Sequence, residues 1–433
     1  MSFFRSTSEL SATLAEAVPP VADPAVGRRV QHTSEILDEA ILASSSRVRD
    51  SLPEQYHKHF ETLRDEIIDF AQAHNIPRES LAKPDALREA AEHLSIPDLE
   101  RLATLLERFE YLLIHKEPRE EISEIIEYAE KFYHLKKQYD SQVELLEEVG
   151  ILESGTILGI DGYEYPIPTL EQIATRLFER RKELFTKHDQ GFTKLLLVPF
   201  GMSLDILRET LKQFLLTYKK DHQTFDLNTD DPLWTWENYQ GADVGDCPNL
   251  VYYPMSFDKH DHQGKTKAQI LEERKNNQAH FLGWTVQLFQ PSNPTNPHSP
   301  GFALIPRQGQ GTPQGDKNPR PPLEAGKTPM EYLSLLLSSK DNKDSPYFQE
   351  SSLTPEDWII AFMLHLQETG EPLDNIWNLA IEENANCLTG AFFPSSVRVP
   401  FAYWFRTRQQ VRLGRRDIHN YVGHIGIRSS VVI

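Results

Sequence analysis

The chain has 433 residues, 39% of them hydrophobic and 25% charged, which is enough apolar side chain for more than one folding unit and argues against whole-chain disorder. Lys and Arg number 45 against 64 Asp and Glu, so the formal charge is −19, and such a chain is a poor general nucleic-acid binder. No apolar run approaches the roughly 20 residues of a membrane helix, no signal peptide is apparent at Met1-Ser-Phe-Phe-Arg-Ser, and two cysteines cannot make a disulfide framework. The expectation is a cytoplasmic protein without membrane contact.

Residues 1–30 carry Ser, Ala and Pro with little periodicity and read as a flexible tail. From 31 to 150 the pattern is helical. Leu102, Leu105, Leu106, Phe109, Leu112 and Leu113 fall on one face of a helix, which breaks between His115 and Pro118. A second helix is expected from Pro118 to Gly150, with Ile122, Ile125, Ala129, Phe132, Lys136, Tyr139, Val143 and Leu146 alternating by threes and fours. That seam fits a helical hairpin with its predecessor, or a coiled coil with a second copy that would make the protein a structural homo-oligomer through residues 118–150.

Residues 151–433 read as a mixed α+β domain. Asp161-Gly162 between β-prone residues suits a hairpin, and Thr169 with Gln172 forms a capping box. Leu195–Val198 is a short buried strand, and Ser203 opens an amphipathic helix through about Tyr218. Residues 291–322 hold nine prolines, so this stretch must be a long excursion or loop. Thr328-Pro329 and Thr354-Pro355 each begin a helix.

The middle of the chain offers few chemical signals. Asp258, His260 and His262, with a third ligand such as His280, could build a metal-assisted hydrolase site, but the run reads better as a solvated loop. Asp243 and Asp246 resemble a calcium turn only in composition, and a turn held by Asx hydrogen bonds is favoured. Cys247 and Cys387 lack any nucleophile signature and read as small hydrophobes. No phosphate loop, nucleophile elbow or zinc-protease helix occurs, so the sequence assigns no catalytic residue, no metal ligand and no cofactor.

The last 39 residues differ from the rest. They carry seven arginines against one acid, a formal +6, while the preceding 394 carry −25. Tyr403, Trp404, Phe405, Gln409, Gln410, His419, Asn420, Tyr421 and His424 are interleaved with the arginines, and Arg, Tyr and Trp are the side chains enriched at binding hot spots. The chain ends in a β-type run, Ile425–Ile433, suited to be the last strand of a core sheet. The same segment could instead neutralise the acidic body or, against the overall charge, stack single-stranded nucleic acid.

Val399, Pro400, Trp404, Arg408-Gln409, Leu413, Gly426, Arg428 and Val431 make an apolar-Trp segment, a polar-aromatic stretch and a closing Gly-x-Arg-x-x-Val strand. This ending resembles C-type-lectin-like domains, in the branch shared by formylglycine-generating enzymes and the variable proteins of diversity-generating retroelements. Glu324–Tyr332, Leu353–Ile359 and Leu388–Pro394 are similar to stretches in proteins of candidate-phylum bacteria that end in the same way. The resemblance implies a ligand-binding protein whose partner is a protein or other macromolecule. Its displayed positions would be Tyr403, Phe405, Arg406, Thr407, Gln410, Arg412, Arg415, Arg416, His419, Asn420, Tyr421 and His424, with Trp404, Leu413, Gly426 and Arg428 as scaffold. The formylglycine-generating chemistry needs a close cysteine pair, which Cys247 and Cys387 do not make in sequence.

Overall fold

A computed structural model describes residues 45–74, 76–77, 80–81, 94, 96–117, 122–245, 247–275, 281–296, 298–376 and 384–433. The tail expected over 1–30, together with Pro118, Asp246 and His280, lies outside the described residues. Two compact units emerge, one ending at Glu121 and the other spanning Ile122–Ile433.

The first unit is helical among its described residues: α1 (Ser45–Asp50), α2 (His57–Ala73) and α3 (Ile96–His115). The apolar face read from the sequence is buried, but its partner is α2. Leu102, Leu106, Phe109 and Leu112 pack with Phe60, Leu63 and Ile67, and the rings of Phe60 and Phe109 lie 5.3 Å apart.

The single helix expected over 118–150 is two helices, α4 (Ile122–Tyr133) and α5 (Leu135–Glu148), separated by His134 in the left-handed region at φ 48°. Both belong to the second unit, so the boundary expected after residue 150 falls after Glu121, 29 residues earlier. Part of the seam packs inside the chain: Ile125, Ala129 and Leu146 are buried in the main core, and Phe132, Tyr139 and Val143 lie partly buried against it. Lys136, expected to interrupt the seam, is exposed and pairs with Asp140 at 2.9 Å. The break explains the difference, because a left-handed residue rotates the second half of the heptad pattern onto a new partner. Gln142 of α5 then donates to Leu195 O and accepts from the Leu197 N–H.

The second unit is α+β. A small hairpin pairs β1 (Thr156–Leu158) with β2 (Glu164–Pro166) around Gly162 at φ 77°. After it come α6 (Leu170–Glu179), entered through the Thr169–Gln172 capping box, and α7 (Arg181–Asp189). One antiparallel sheet has the order β3 (Lys194–Val198), β6 (Thr285–Phe289), β14 (Ser429–Val432) and β7 (Glu350–Ser352). The chain's final strand therefore lies inside a core sheet. A larger mixed sheet runs β13 (Ile425–Gly426), β9 (Ala385–Cys387), β11 (Arg398–Phe405), β12 (Gln410–Asp417) and β4 (Leu233–Thr235), with β8 (Asn375–Ile376) also beside β11. The short strands β5 (Val251–Tyr252) and β10 (Ala391–Phe392) pair separately.

Further helices of the unit are α8 (Leu204–Asp221), α9 (Lys267–Lys275) and α10 (Pro329–Ser339). The central helix, α11 (Pro355–Thr369), is buried along every residue from Pro355 to Leu366. It is enclosed on all sides because it contacts β3 of one sheet, β11 of the other and α8 besides. Thr354 and Asp357 close a capping box at its start, and Gly370 ends it at φ 74°. Buried ion pairs fasten the surrounding elements. Lys267 of α9 reaches Asp243 at 2.5 Å and Glu356 at 2.9 Å, and Arg428 reaches Asp374 at 2.8 Å.

Candidate binding face

Alternation along β11 decides which end-segment side chains turn away from the core. Ala402 and Trp404 point into the main core, with Val411 and Leu413 of β12 on the same side. The opposite face carries Phe401, Tyr403 and Phe405, all half-buried. Their rings form a strip, with centroids 5.1 Å apart from Phe401 to Tyr403 and 5.9 Å from Tyr403 to Phe405.

Register brings the other members alongside. Tyr403 pairs with Arg412, and Arg412 pairs with Trp234 of the edge strand β4. The Arg412 guanidinium carbon lies 4.8 Å from the Trp234 ring centre and 5.0 Å from that of Phe405, a cation between two π faces. Arg412 Nε donates to Gln410 Oε1 at 3.2 Å, and Gln410 Nε2 donates to the backbone oxygen and a carboxylate oxygen of Asp231, each at 2.8 Å. This relay orients the guanidinium. Its terminal nitrogens make no hydrogen bond to the described residues. Gly414 leaves a shallow notch in the strip: a Cβ there would stand 3.7 Å from Phe401 and 3.8 Å from Trp234.

Only part of the expected display joins this face. Tyr403, Phe405 and Arg412 come together, with Trp234 and Phe401, which the sequence reading did not single out. Gln410 is buried and serves as the relay, because the 226–231 loop folds over it. Arg415 faces the other side of β12 and stacks on Trp236 at 4.7 Å. Arg416 lies opposite Val399, half-buried, and burial lowers its pKa. Arg406 and Thr407 are exposed at the hairpin tip.

His419, Asn420, Tyr421 and His424 follow the far end of β12, about 23 Å from that tip at ~3.3 Å per residue. Asp417 caps their turn through the His419 N–H, and Tyr421 donates to Gln308 Oε1 at 3.3 Å. His424 is half-buried, with its pKa lowered by burial and then by Arg416. The expected single surface is therefore at least two. The scaffold positions are enclosed: Trp404 packs on Phe225 at 5.3 Å, Leu413 and Gly426 are buried, and Arg428 is 7% exposed.

The other candidates resolve into local structure. Asp258 accepts from the His260 and Asp261 N–H groups, and His262 Nδ1 accepts from the Gly264 N–H, which makes 258–264 a hydrogen-bonded polar loop. Among the described residues no group of three or more His, Cys, Asp or Glu side chains converges to hold a metal ion. Asp243 makes no Asx turn; it accepts from the Leu204 N–H at the start of α8 and pairs with Lys267. Cys387 is buried, and burial pushes its thiol up to about 12, whereas Cys247 is exposed. No described helix is long and apolar enough to cross a membrane. No protein-family model, curated protein or solved structure matches the chain.

Proposed function

We propose that this chain is a ligand-binding protein that grips a protein partner through the open face of β11, β12 and β4. The observation that carries this reading is Arg412, clamped between Trp234 and Phe405, oriented by Gln410, and left with its terminal nitrogens available. A guanidinium fixed in this way can make a bidentate, charge-assisted pair with a carboxylate at little ordering cost. The aromatic strip beside it offers stiff apolar area for the flanking side chains of the partner. The preferred partner segment thus presents Asp or Glu next to aromatic or aliphatic residues. The exposed tip at 406–409 and the separate 419–424 loop extend the contact on either side. A scaffold strand that ends the chain, preceded by a displayed hairpin, also supports the resemblance to C-type-lectin-like variable proteins as a proposal about origin.

The test is selection of a random displayed-peptide library on the purified protein. Enriched peptides should carry an acid beside an apolar residue, and Arg412→Ala should weaken their binding by about tenfold or more. Enrichment that Arg412→Ala leaves unchanged would remove this face as the site. Tight capture of oligothymidylate through the same residues would replace the protein partner with single-stranded nucleic acid. A neighbouring reverse-transcriptase gene with a near-copy of the last forty codons differing at adenines would establish the retroelement origin.

A further inference from the structure

The proline-rich excursion is part of a second site. The bridges Pro291–Phe302 and Gln314–Arg320 fold it back on itself, and it walls a cleft of about 320 Å³, near the lower size for small-molecule pockets. Phe302, Ala303, Ile305 and Leu323 supply its apolar lining, and Arg320, 3% exposed, supplies a guanidinium. Arg320 is locked in place: Nε and Nη2 donate to the two oxygens of Glu350 at 2.7 and 2.8 Å, and Nη2 also donates to Ser429 Oγ. Its carbon lies 5.2 Å from the Phe192 ring and 5.3 Å from that of Tyr347. Its Nη1 makes no hydrogen bond to the described residues.

The charges there do not balance. Lys187, also buried, donates to the same Glu350 at 2.7 Å, so two cations share one carboxylate whose oxygens already accept four hydrogen bonds. Buried charges are ordinarily matched, because an excess one carries a desolvation cost without compensation. Of the nearby acids, Asp374 is taken by Arg428, and Glu324 is committed to the Gly309 and Gly311 N–H groups.

We propose that the cleft binds a small organic anion, its carboxylate or phosphate on Arg320 Nη1 and its apolar part against Phe302, Ile305 and Leu323. The bound anion neutralises the excess charge of the Lys187–Arg320–Glu350 group. This site is independent of the β11–β12 face.

Calorimetric titration of the intact protein with benzoate, phenyl phosphate and uncharged benzyl alcohol tests the assignment. One anion should bind one per chain, and benzyl alcohol about tenfold or more weaker, the scale of one charge-assisted hydrogen bond. The tighter of the two anions identifies the head group. Ala303→Phe, which fills the cleft and keeps every charged group, should abolish binding without lowering the melting temperature. Arg320→Lys should weaken it about tenfold. Failure of both anions to bind, or binding that Ala303→Phe leaves unchanged, overturns the proposal.

Discussion

Trp404 and Phe405 are neighbours in sequence and point to opposite faces of β11. The Trp404 indole lies 5.3 Å from the Phe225 ring within the core, while the Phe405 ring covers the guanidinium of Arg412 on the open face. Trp404→Ala should therefore destabilise the second unit by about 3–5 kcal/mol, the cost of a large core cavity. Phe405→Ala should cost about 1 kcal/mol or less, in line with one partly exposed cation–π contact. Urea unfolding of the two variants measures both, and equal costs would contradict the assigned faces.

Binding should move the other way. Trp234→Ala and Arg412→Ala leave the core intact, so their melting temperatures should stay near wild type while capture of a selected acidic peptide falls by about tenfold or more. Tyr403 packs against the secondary cluster around Val399 and Cys387. Its replacement by alanine should lower both binding and stability, which separates it from Trp234 in the same experiment.

Glu350 gives a pH signature. Burial alone would raise its pKa, but the charges and hydrogen bonds of Arg320 and Lys187 outweigh that and hold it below the usual glutamate value. A carboxylate depressed in the folded state contributes stability that is fully present above its unfolded pKa and lost as pH falls toward the folded one. Denaturant unfolding should thus weaken progressively below about pH 4.3. Glu350→Gln, which leaves two buried cations without a carboxylate, should cost about 3–5 kcal/mol at neutral pH and flatten that acid-side slope.

The two thiols should behave differently. Cys247 is exposed and Cys387 is buried with its thiol pushed up to about 12, so a thiol reagent at pH 8 should titrate one group per folded chain. Cys387 should react only after denaturation. Prompt labelling of both would show that β9 opens readily.

Much of the chain's local order was legible beforehand. Thr169, Ser203, Thr328 and Thr354 each stand at the start of the helix expected of them, because an N-cap hydroxyl acts on N–H groups two or three residues away. The heptad-like seam from Ile122 was visible too, yet its partner was not. Threes and fours specify a buried face without naming what covers it, and the turn at His134, with no glycine, gave no signal. The candidate face was half legible. Phe401, Tyr403 and Phe405 alternate with period two, which marks one face of a strand, but Trp234 lies 169 positions before Tyr403 and reaches the strip only through β12.

By itself the sequence determined helix starts, the buried strands, the acidic body and the concentration of arginines and aromatics near the carboxyl end, since each depends on residues within a turn or two of one another. Tertiary structure alone decided that Gln410 is an interior relay, that Arg415 faces away, that Trp234 completes the clamp on Arg412 and that Lys187 and Arg320 share one carboxylate. Those relationships arise where strands and loops remote in sequence are brought together by sheet register and core packing, and no local pattern carries that information.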